Sequence, residues 1–306
     1  MKLLVVGAGA VGGYFGGRLA EKGEDVTFLV RENRKKQLEE SGLIIKSIHG
    51  DVELQPKLIT ASEKDQVFDV IFISTKAYHL DEALVDLKGF VHEDTLILPM
   101  LNGISQLEKM EEYFPKDNIL GGLCFIEATL NEGGHIVQTS SIHELVFGER
   151  SGERTERIER LDSVLRDSGA AIRLSDQIMQ EMWHKYLFIS TMSGVTSLFR
   201  SSIGPIREQE EGRKVMLQLI EEVNAIAVSV NAPVSPDIKE NLSAKLTEIG
   251  YGMKSSLQRD MEKGSLIEAE HLFGNLLNIA KENDVQTPIL NVIYANLKIY
   301  EKNLHS

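Results

Sequence analysis

The chain begins with a combination that leaves few folds open: a short apolar run, Leu3-Leu4-Val5-Val6, leads straight into Gly7-Ala8-Gly9-Ala10-Val11-Gly12. The six residues fit G-x-G-x-x-G, the run before them predicts a strand, and Tyr14 to Lys22, ending at Gly23, predicts a helix. In a strand–turn–helix each glycine has its own use. The first permits the tight turn, the second lets a pyrophosphate approach the backbone, and the third lets helix and strand pack closely. Phosphate then rests on N–H groups at the positive end of the helix. In this context the motif predicts dinucleotide binding through Gly7, Ala8, Gly9, Ala10, Val11 and Gly12, against the plainer alternative of a Gly-rich turn kept for packing. Lys2 and the apolar start bear a faint likeness to a secretory leader, but the run turns Gly-rich and ends at Arg18, so it is read as structure.

With 306 residues the chain has room for two domains of roughly 150 residues each. Leu3–Val6, Val26–Val30, Val70–Ser74, Thr95–Pro99 and Ile119–Phe125 are compact and apolar, as strands buried on both faces of a parallel sheet should be. Helix-like segments separate them, which is the order of βαβ units. His135–Thr139 and His143–Phe147, with Ser140 and Ser141 between them, predict a hairpin added to the sheet edge, and Ala171–Leu174 predicts a last strand. From about Asp176 the texture is helical: Val215, Leu219, Val223, Ile226 and Val230 recur at helical spacing, and Pro233, Pro236 and Pro288 mark breaks and new starts. The expectation is an α/β chain. Residues 1–175 form a doubly wound parallel sheet that binds the dinucleotide, and residues 176–306 form an all-α domain packed closely against it across a cleft.

Composition excludes several classes. The net charge of −13 argues against duplex DNA or anionic lipid as the main partner, so an anionic ligand must meet a local positive cluster. A single cysteine, Cys124, allows no internal disulfide and no Cys-based zinc site, which suits a reducing cytoplasm. The eight histidines form no H-E-x-x-H or similar ligand set, so no metal is expected. No apolar stretch approaches the ~20 residues that cross a bilayer. The expected partner is a small molecule, with neither nucleic acid nor membrane.

The end of the second strand decides which dinucleotide binds. An acidic residue there would hold the ribose of NAD, but the strand ends Leu29-Val30-Arg31, and arginine's planar fork suits a 2′-phosphate. NADPH is therefore expected, with Glu32 the contrary signal and Lys35 and Lys36 read as a solvated helix face. Ligands of open α/β sheets bind beyond the carboxyl ends of the strands. Lys76, after Phe72-Ile73-Ser74-Thr75, and Asn102, after Leu98-Pro99-Met100-Leu101, stand at such ends. In the helical half, Trp183-His184-Lys185-Tyr186 precedes Leu187-Phe188-Ile189, placing Lys185 on a substantially buried helix, and Ser255-Ser256-Leu257-Gln258-Arg259-Asp260 precedes Glu268. Position alone gives these residues ordinary alternatives: solvated lysines, an Asn-Gly turn, serine caps.

Gly7–Gly12 with Arg31, Lys76-Ala77, Asn102-Gly103, Trp183-x-Lys185, and Ser255-Ser256-x3-Asp260-x7-Glu268 together resemble the ketopantoate reductase (2-dehydropantoate 2-reductase) family, in order and spacing, over nearly the whole chain. The resemblance implies an N-terminal Rossmann-type domain and a helical C-terminal domain like that of 6-phosphogluconate dehydrogenase. It implies NADPH-dependent reduction of 2-dehydropantoate to pantoate, on the route to pantothenate and coenzyme A. By the same resemblance Lys185 is the catalytic lysine and Glu268 the second essential carboxylate. Ser256 binds substrate, and Lys76 and Asn102 lie on the cofactor side, Asn102 also reaching substrate. Where members carry asparagines four and eight residues after the lysine and three before the second serine, this chain has Ile189, Ser193 and Met253. A pocket without those amides is drier and loses a hydrogen-bonding readout of the substrate. A reductase of another 2-keto or 3-hydroxy acid, and a dinucleotide-binding sensor without turnover, are the alternatives. Retention of both Lys185 and Glu268 counts against the sensor. Oligomeric state is not written in the sequence; a homodimer is one admissible assembly.

Overall fold

The computed structural model describes residues 1–64 and 66–304 and divides into two compact units, one of residues 1–102 and 106–179, the other of residues 103–105 and 180–306. Unit 1 runs β1 (Lys2–Val6), α1 (Ala10–Lys22), β2 (Asp25–Leu29), α2 (Glu32–Ser41), β3 (Leu43–Ser47), β4 (Val52–Leu54), β5 (Lys57–Ile59), β6 (Val70–Ile73), α3 (Leu80–Leu87), β7 (Leu96–Pro99), α4 (Ser105–Glu111), β8 (Gly121–Leu130), β9 (Ile136–Gly148), α5 (Glu156–Leu165) and β10 (Ala171–Leu174). Its first sheet is parallel throughout, in the order β5-β2-β1-β6-β7, so the strand that feeds the glycine loop sits at the centre. Four consecutive residues of β1, Leu3 to Val6, are buried, as a strand covered on both faces requires.

Helix α1 lies between two sheets, and its glycines explain how. A Cβ on Gly16 would fall within 3 Å of Phe28 and Val5 in the parallel sheet, and one on Gly13 or Gly17 within 3 Å of Ile136 or Ile45 in the second. Small residues on both flanks let the helix approach both layers, and Gly23 closes it in the left-handed conformation at φ 100°.

The second sheet has the order β10-β9-β3-β4, with β8 antiparallel to β9, and two expectations fail there. Ile119–Phe125 is not a strand of the parallel sheet: Ile119 makes one bridge to Ile97, and β8 then starts at Gly121 and pairs with β9. A Cβ on Gly122 would sit 2.4 Å from the Pro99 carbonyl, so glycine lets the chain pass over the end of β7 as it leaves that layer. Nor is there a turn at Ser140-Ser141, because β9 is continuous from Ile136 to Gly148. The turn lies earlier, where the Asn131 N–H donates to the His135 carbonyl (3.0 Å) and Gly134 takes φ 75°. Ser140 instead serves a register shift between Ile126 and Ala128, its hydroxyl accepting from the Glu127 N–H at 2.9 Å in place of a ladder bond.

Every regular element of unit 2 among the described residues is helical: α6 (Ile178–Phe199), α7 (Ile203–Glu208), α8 (Glu210–Ser229), α9 (Ile238–Glu248), α10 (Ser256–Glu262), a π-helical turn Glu270–Gly274, α11 (Asn275–Glu282) and α12 (Pro288–Leu304). Trp183, Tyr186 and Leu187 of α6, Leu219, Val223 and Ile226 of α8, Phe273 and Ile293 form its core. Pro288 occupies the first position of α12, where its missing N–H costs nothing. Among the described residues no helix is long and apolar enough to cross a membrane, and no group of metal-ligating side chains gathers.

Candidate functional site

In unit 1 the site begins at the carboxyl end of β1. Gly7 adopts φ 90°, a conformation that favours glycine, and its N–H donates to the Leu29 carbonyl of β2 at 2.9 Å. Gly12 is held by packing: a Cβ there would lie 2.0 Å from the Ser74 hydroxyl and 2.5 Å from the Gly7 carbonyl. Gly9 differs from both. Its φ of −82° suits any residue, and a Cβ would meet no protein atom within 4 Å. Nothing in the chain itself demands glycine at this position. The open space beside it, at the start of α1, is where a pyrophosphate would lie on N–H groups that helix geometry leaves without intrahelical partners. The first turn of α1 holds no acidic residue to compete for them. The residues present therefore fit a dinucleotide.

The neighbouring strand ends supply the rest of this half. Ser74, just past β6, donates its hydroxyl to the Val6 carbonyl at 2.9 Å and reaches the Gly7 carbonyl at 3.3 Å, tying the strand end to the loop. Lys76 follows, half-buried, before a 3₁₀ turn over Ala77–His79. Asn102 follows β7, half-buried, and precedes Gly103 at φ 87°. Arg31 follows β2 and flanks α2; its side chain is 63% exposed and pairs with Glu82. Lys35 pairs with Glu63 at 2.8 Å and Lys36 is exposed, the surface role read for both in the sequence.

Sequence reasoning missed Arg34. Its Nε and Nη2 both donate to the Ala8 carbonyl of the glycine loop (3.2 and 3.0 Å), Nη2 also to the Gly134 carbonyl (3.0 Å), and Nη1 to the Gln37 side chain (2.6 Å). All these acceptors are neutral, and burial pulls the guanidinium below its usual pKa without discharging it. The available signal was its place one helical turn beyond Arg31.

Unit 2 carries the second group. Lys185 stands on α6 with 7% of its surface exposed, between Trp183 and Tyr186 of the core. Removing an ammonium from water costs several kcal/mol, so a buried lysine is expensive unless its charge is used. Its neighbour Tyr186, fully enclosed, donates its hydroxyl to the Leu272 carbonyl at 2.8 Å, and the Leu272 N–H donates to the Glu268 carbonyl at 3.0 Å. Burial raises the Tyr186 pKa far above the ordinary phenol. This chain of bonds joins the helix bearing Lys185 to the segment bearing half-buried Glu268, immediately before the π-helical turn. Such turns are frequent at functional sites.

Ser255 is the N-cap of α10: it accepts from the Gln258 N–H at 3.1 Å and bonds the Thr196 hydroxyl of α6 at 2.9 Å. Ser256, the next residue, opens α10 and is exposed. Lys185, Ile189 and Thr196 recur at helical spacing and share one face of α6. Ile189 is half-buried, Ser193 is buried, and Met253 is 40% exposed.

Comparison with known proteins gives a consistent picture. The family profile of ketopantoate reductase PanE/ApbA matches residues 3–152, and that of its C-terminal domain matches residues 177–301. An uncharacterized oxidoreductase, YkpB, of Bacillus subtilis (strain 168) is 46% identical over 301 residues, covering 98% of this chain and 99% of that one. The crystal structure of 2-dehydropantoate 2-reductase from Geobacter metallireducens GS-15 superposes with a TM-score of 0.88 at 25% identity, over 98% of this chain and 99% of the other. The ternary structure of a D-mandelate dehydrogenase with NADH and anilino(oxo)acetate shares the fold at a TM-score of 0.90 and 23% identity, covering 100% of this chain and 99% of that one.

Proposed function

The chain belongs to the ketopantoate reductase family, and we propose that it is an NADPH-dependent 2-dehydropantoate 2-reductase, forming pantoate on the route to pantothenate and coenzyme A. The observation that carries this reading is Lys185: an ammonium buried in a helical core, on an element tied through Tyr186 and Leu272 to the segment of Glu268.

NADPH, when bound at Gly7–Gly12 with Arg31, Lys76 and Asn102, supplies the hydride. Lys185 hydrogen-bonds the ketone oxygen of the 2-keto acid, stabilises the charge that develops there, and gives its proton to the alkoxide. Glu268 orients that ammonium or holds the substrate's hydroxyl group. Ser256 hydrogen-bonds the substrate carboxylate, and Asn102 contributes a further hydrogen bond from the cofactor side. The positive charge of Lys185 also draws an anionic substrate into a protein of net charge −13.

A second reading, reduction of a different 2-keto acid, is favoured by Ile189 and Met253. Both are apolar, and at such positions they reward an apolar substrate side chain more than a hydroxylated one. A panel of 2-keto acids that includes ketopantoate, followed by NADPH absorbance, tests both. Highest kcat/KM for ketopantoate supports the first, and highest kcat/KM for a branched or aromatic keto acid supports the second. Tight NADPH binding with no turnover of any of them overturns both.

A further inference from the structure

The strand order places β1 between β2 and β6, so the glycine loop emerges between the segments that leave those two strands. An ion pair joins these flanking segments. Arg31, beyond β2, has its Nη2 2.5 Å from Glu82 Oε2 in the first turn of α3, beyond β6, and 3.3 Å from His79 Nδ1. Both members are well exposed, at 63% and 60%, and pairs of this kind hold weakly and exchange readily. Arg31 is also the residue whose fork suits a 2′-phosphate. Its charge is therefore already answered, whereas Arg34, which donates to the Ala8 carbonyl, has no carboxylate partner among the described residues.

We propose that Glu82 is a cofactor-discriminating residue: its carboxylate occupies the Arg31 fork as a latch between the segments flanking the glycine loop, and a 2′-phosphate binds only by displacing it. The proposal rests on the NADPH reading above and deepens it. A phosphate competes well for the guanidinium, being more highly charged and able to pair with it through two parallel hydrogen bonds. The expelled carboxylate nevertheless remains nearby and repels it. A ribose hydroxyl makes no claim on Arg31, so NADH leaves the latch closed. Glu82 thereby narrows the preference for NADPH that Arg31 would otherwise enforce.

Calorimetric titration of the full chain with NADPH and with NADH tests this. Glu82→Gln is expected to lower the NADPH Kd about 3- to 10-fold while moving the NADH Kd less than about twofold. In an Arg31→Met background the same substitution should no longer tighten NADPH. An NADPH Kd that is unchanged or raised by Glu82→Gln overturns the latch, as does an equal gain with and without Arg31, which would mark a diffuse charge effect. The two readings fail separately. If Arg31→Met by itself leaves the NADPH Kd unaltered, the assignment of Arg31 to the 2′-phosphate falls; if Arg31→Met weakens NADPH and Glu82→Gln does nothing, only the latch falls. Both side chains are exposed, so neither substitution threatens folding.

Discussion

Gly9 and Gly12 belong to one motif yet answer to different forces, and substitution separates them. Gly12→Ala drives a methyl group into the Gly7 carbonyl and the Ser74 hydroxyl, so it is expected to destabilise the protein by about 1–3 kcal/mol in urea unfolding, the usual range for overpacking. Gly9→Ala meets no protein atom within 4 Å and should leave stability nearly unchanged, while weakening dinucleotide binding at least ~10-fold, because its methyl group would enter the space proposed for the pyrophosphate. Equal effects of the two on stability would show that Gly9 is a packing residue. Lys185→Ala should reduce kcat at least ~10²-fold with the NADPH Kd nearly intact, as the role proposed for the lysine, on the ketone rather than on the nucleotide, requires. Turnover like that of the unmodified enzyme would remove Lys185 from the chemistry. The glycines were readable from sequence because their demands are local, set by strand, turn and helix within six residues. Arg34 was not, because the carbonyls it holds belong to Ala8 and Gly134, 26 and 100 residues away.

Among the elements, α12 shows how one helix is started by another. Glu222 of α8 is 5% exposed, and its two carboxylate oxygens accept from the Ile289 and Leu290 N–H groups at 3.0 and 2.9 Å. A carboxylate at a helix N-terminus satisfies orphan donors and suits the helix dipole. Glu222→Gln retains the shape but loses the charge and one acceptor, and should lower unfolding free energy by about 1–3 kcal/mol, read from the urea midpoint at constant slope. No change would mean that water replaces the cap. In sequence Glu222 is one glutamate among many; Thr287-Pro288 correctly announced the start of α12, but what satisfied its N–H groups lay 67 residues earlier. Strand β9 makes the complementary point. Ser140-Ser141 has turn composition, but it lies where the register of β9 with β8 shifts, between the Gln138–Ala128 and His143–Ile126 pairs, so the strand continues through it and the Ser140 hydroxyl serves the bulge.

For the molecule as a whole, acid should act on both units through one histidine each. His143 in unit 1 is stacked on His49 with ring centres 3.7 Å apart, and its Nδ1 lies 2.6 Å from the Tyr14 hydroxyl. Burial first, then the positive charges of His49 and Arg18, lowers its pKa from the ordinary 6.5. His184 in unit 2 accepts the Ser235 N–H at its Nε2 (2.9 Å), and burial lowers its pKa as well. A histidine whose folded pKa is depressed contributes stability that is complete above its unfolded value and is lost as the pH falls below it. Thermal stability is therefore expected to fall from about pH 6.5 downward, and His143→Gln and His184→Gln should each flatten that acid limb; an unaltered limb in both would place the acid sensitivity elsewhere. The sequence alone determined that a βαβ dinucleotide unit comes first and a helical unit second, because glycine turns, proline starts and hydrophobic periods act over a few residues. The division into two sheets with α1 between them, the cap on α12, the hold of Arg34 on the loop and the pairing of Arg31 with Glu82 were decided only in three dimensions. Each depends on groups far apart in the chain, and the energy of such a contact exists only once the backbone has brought the partners within hydrogen-bond reach.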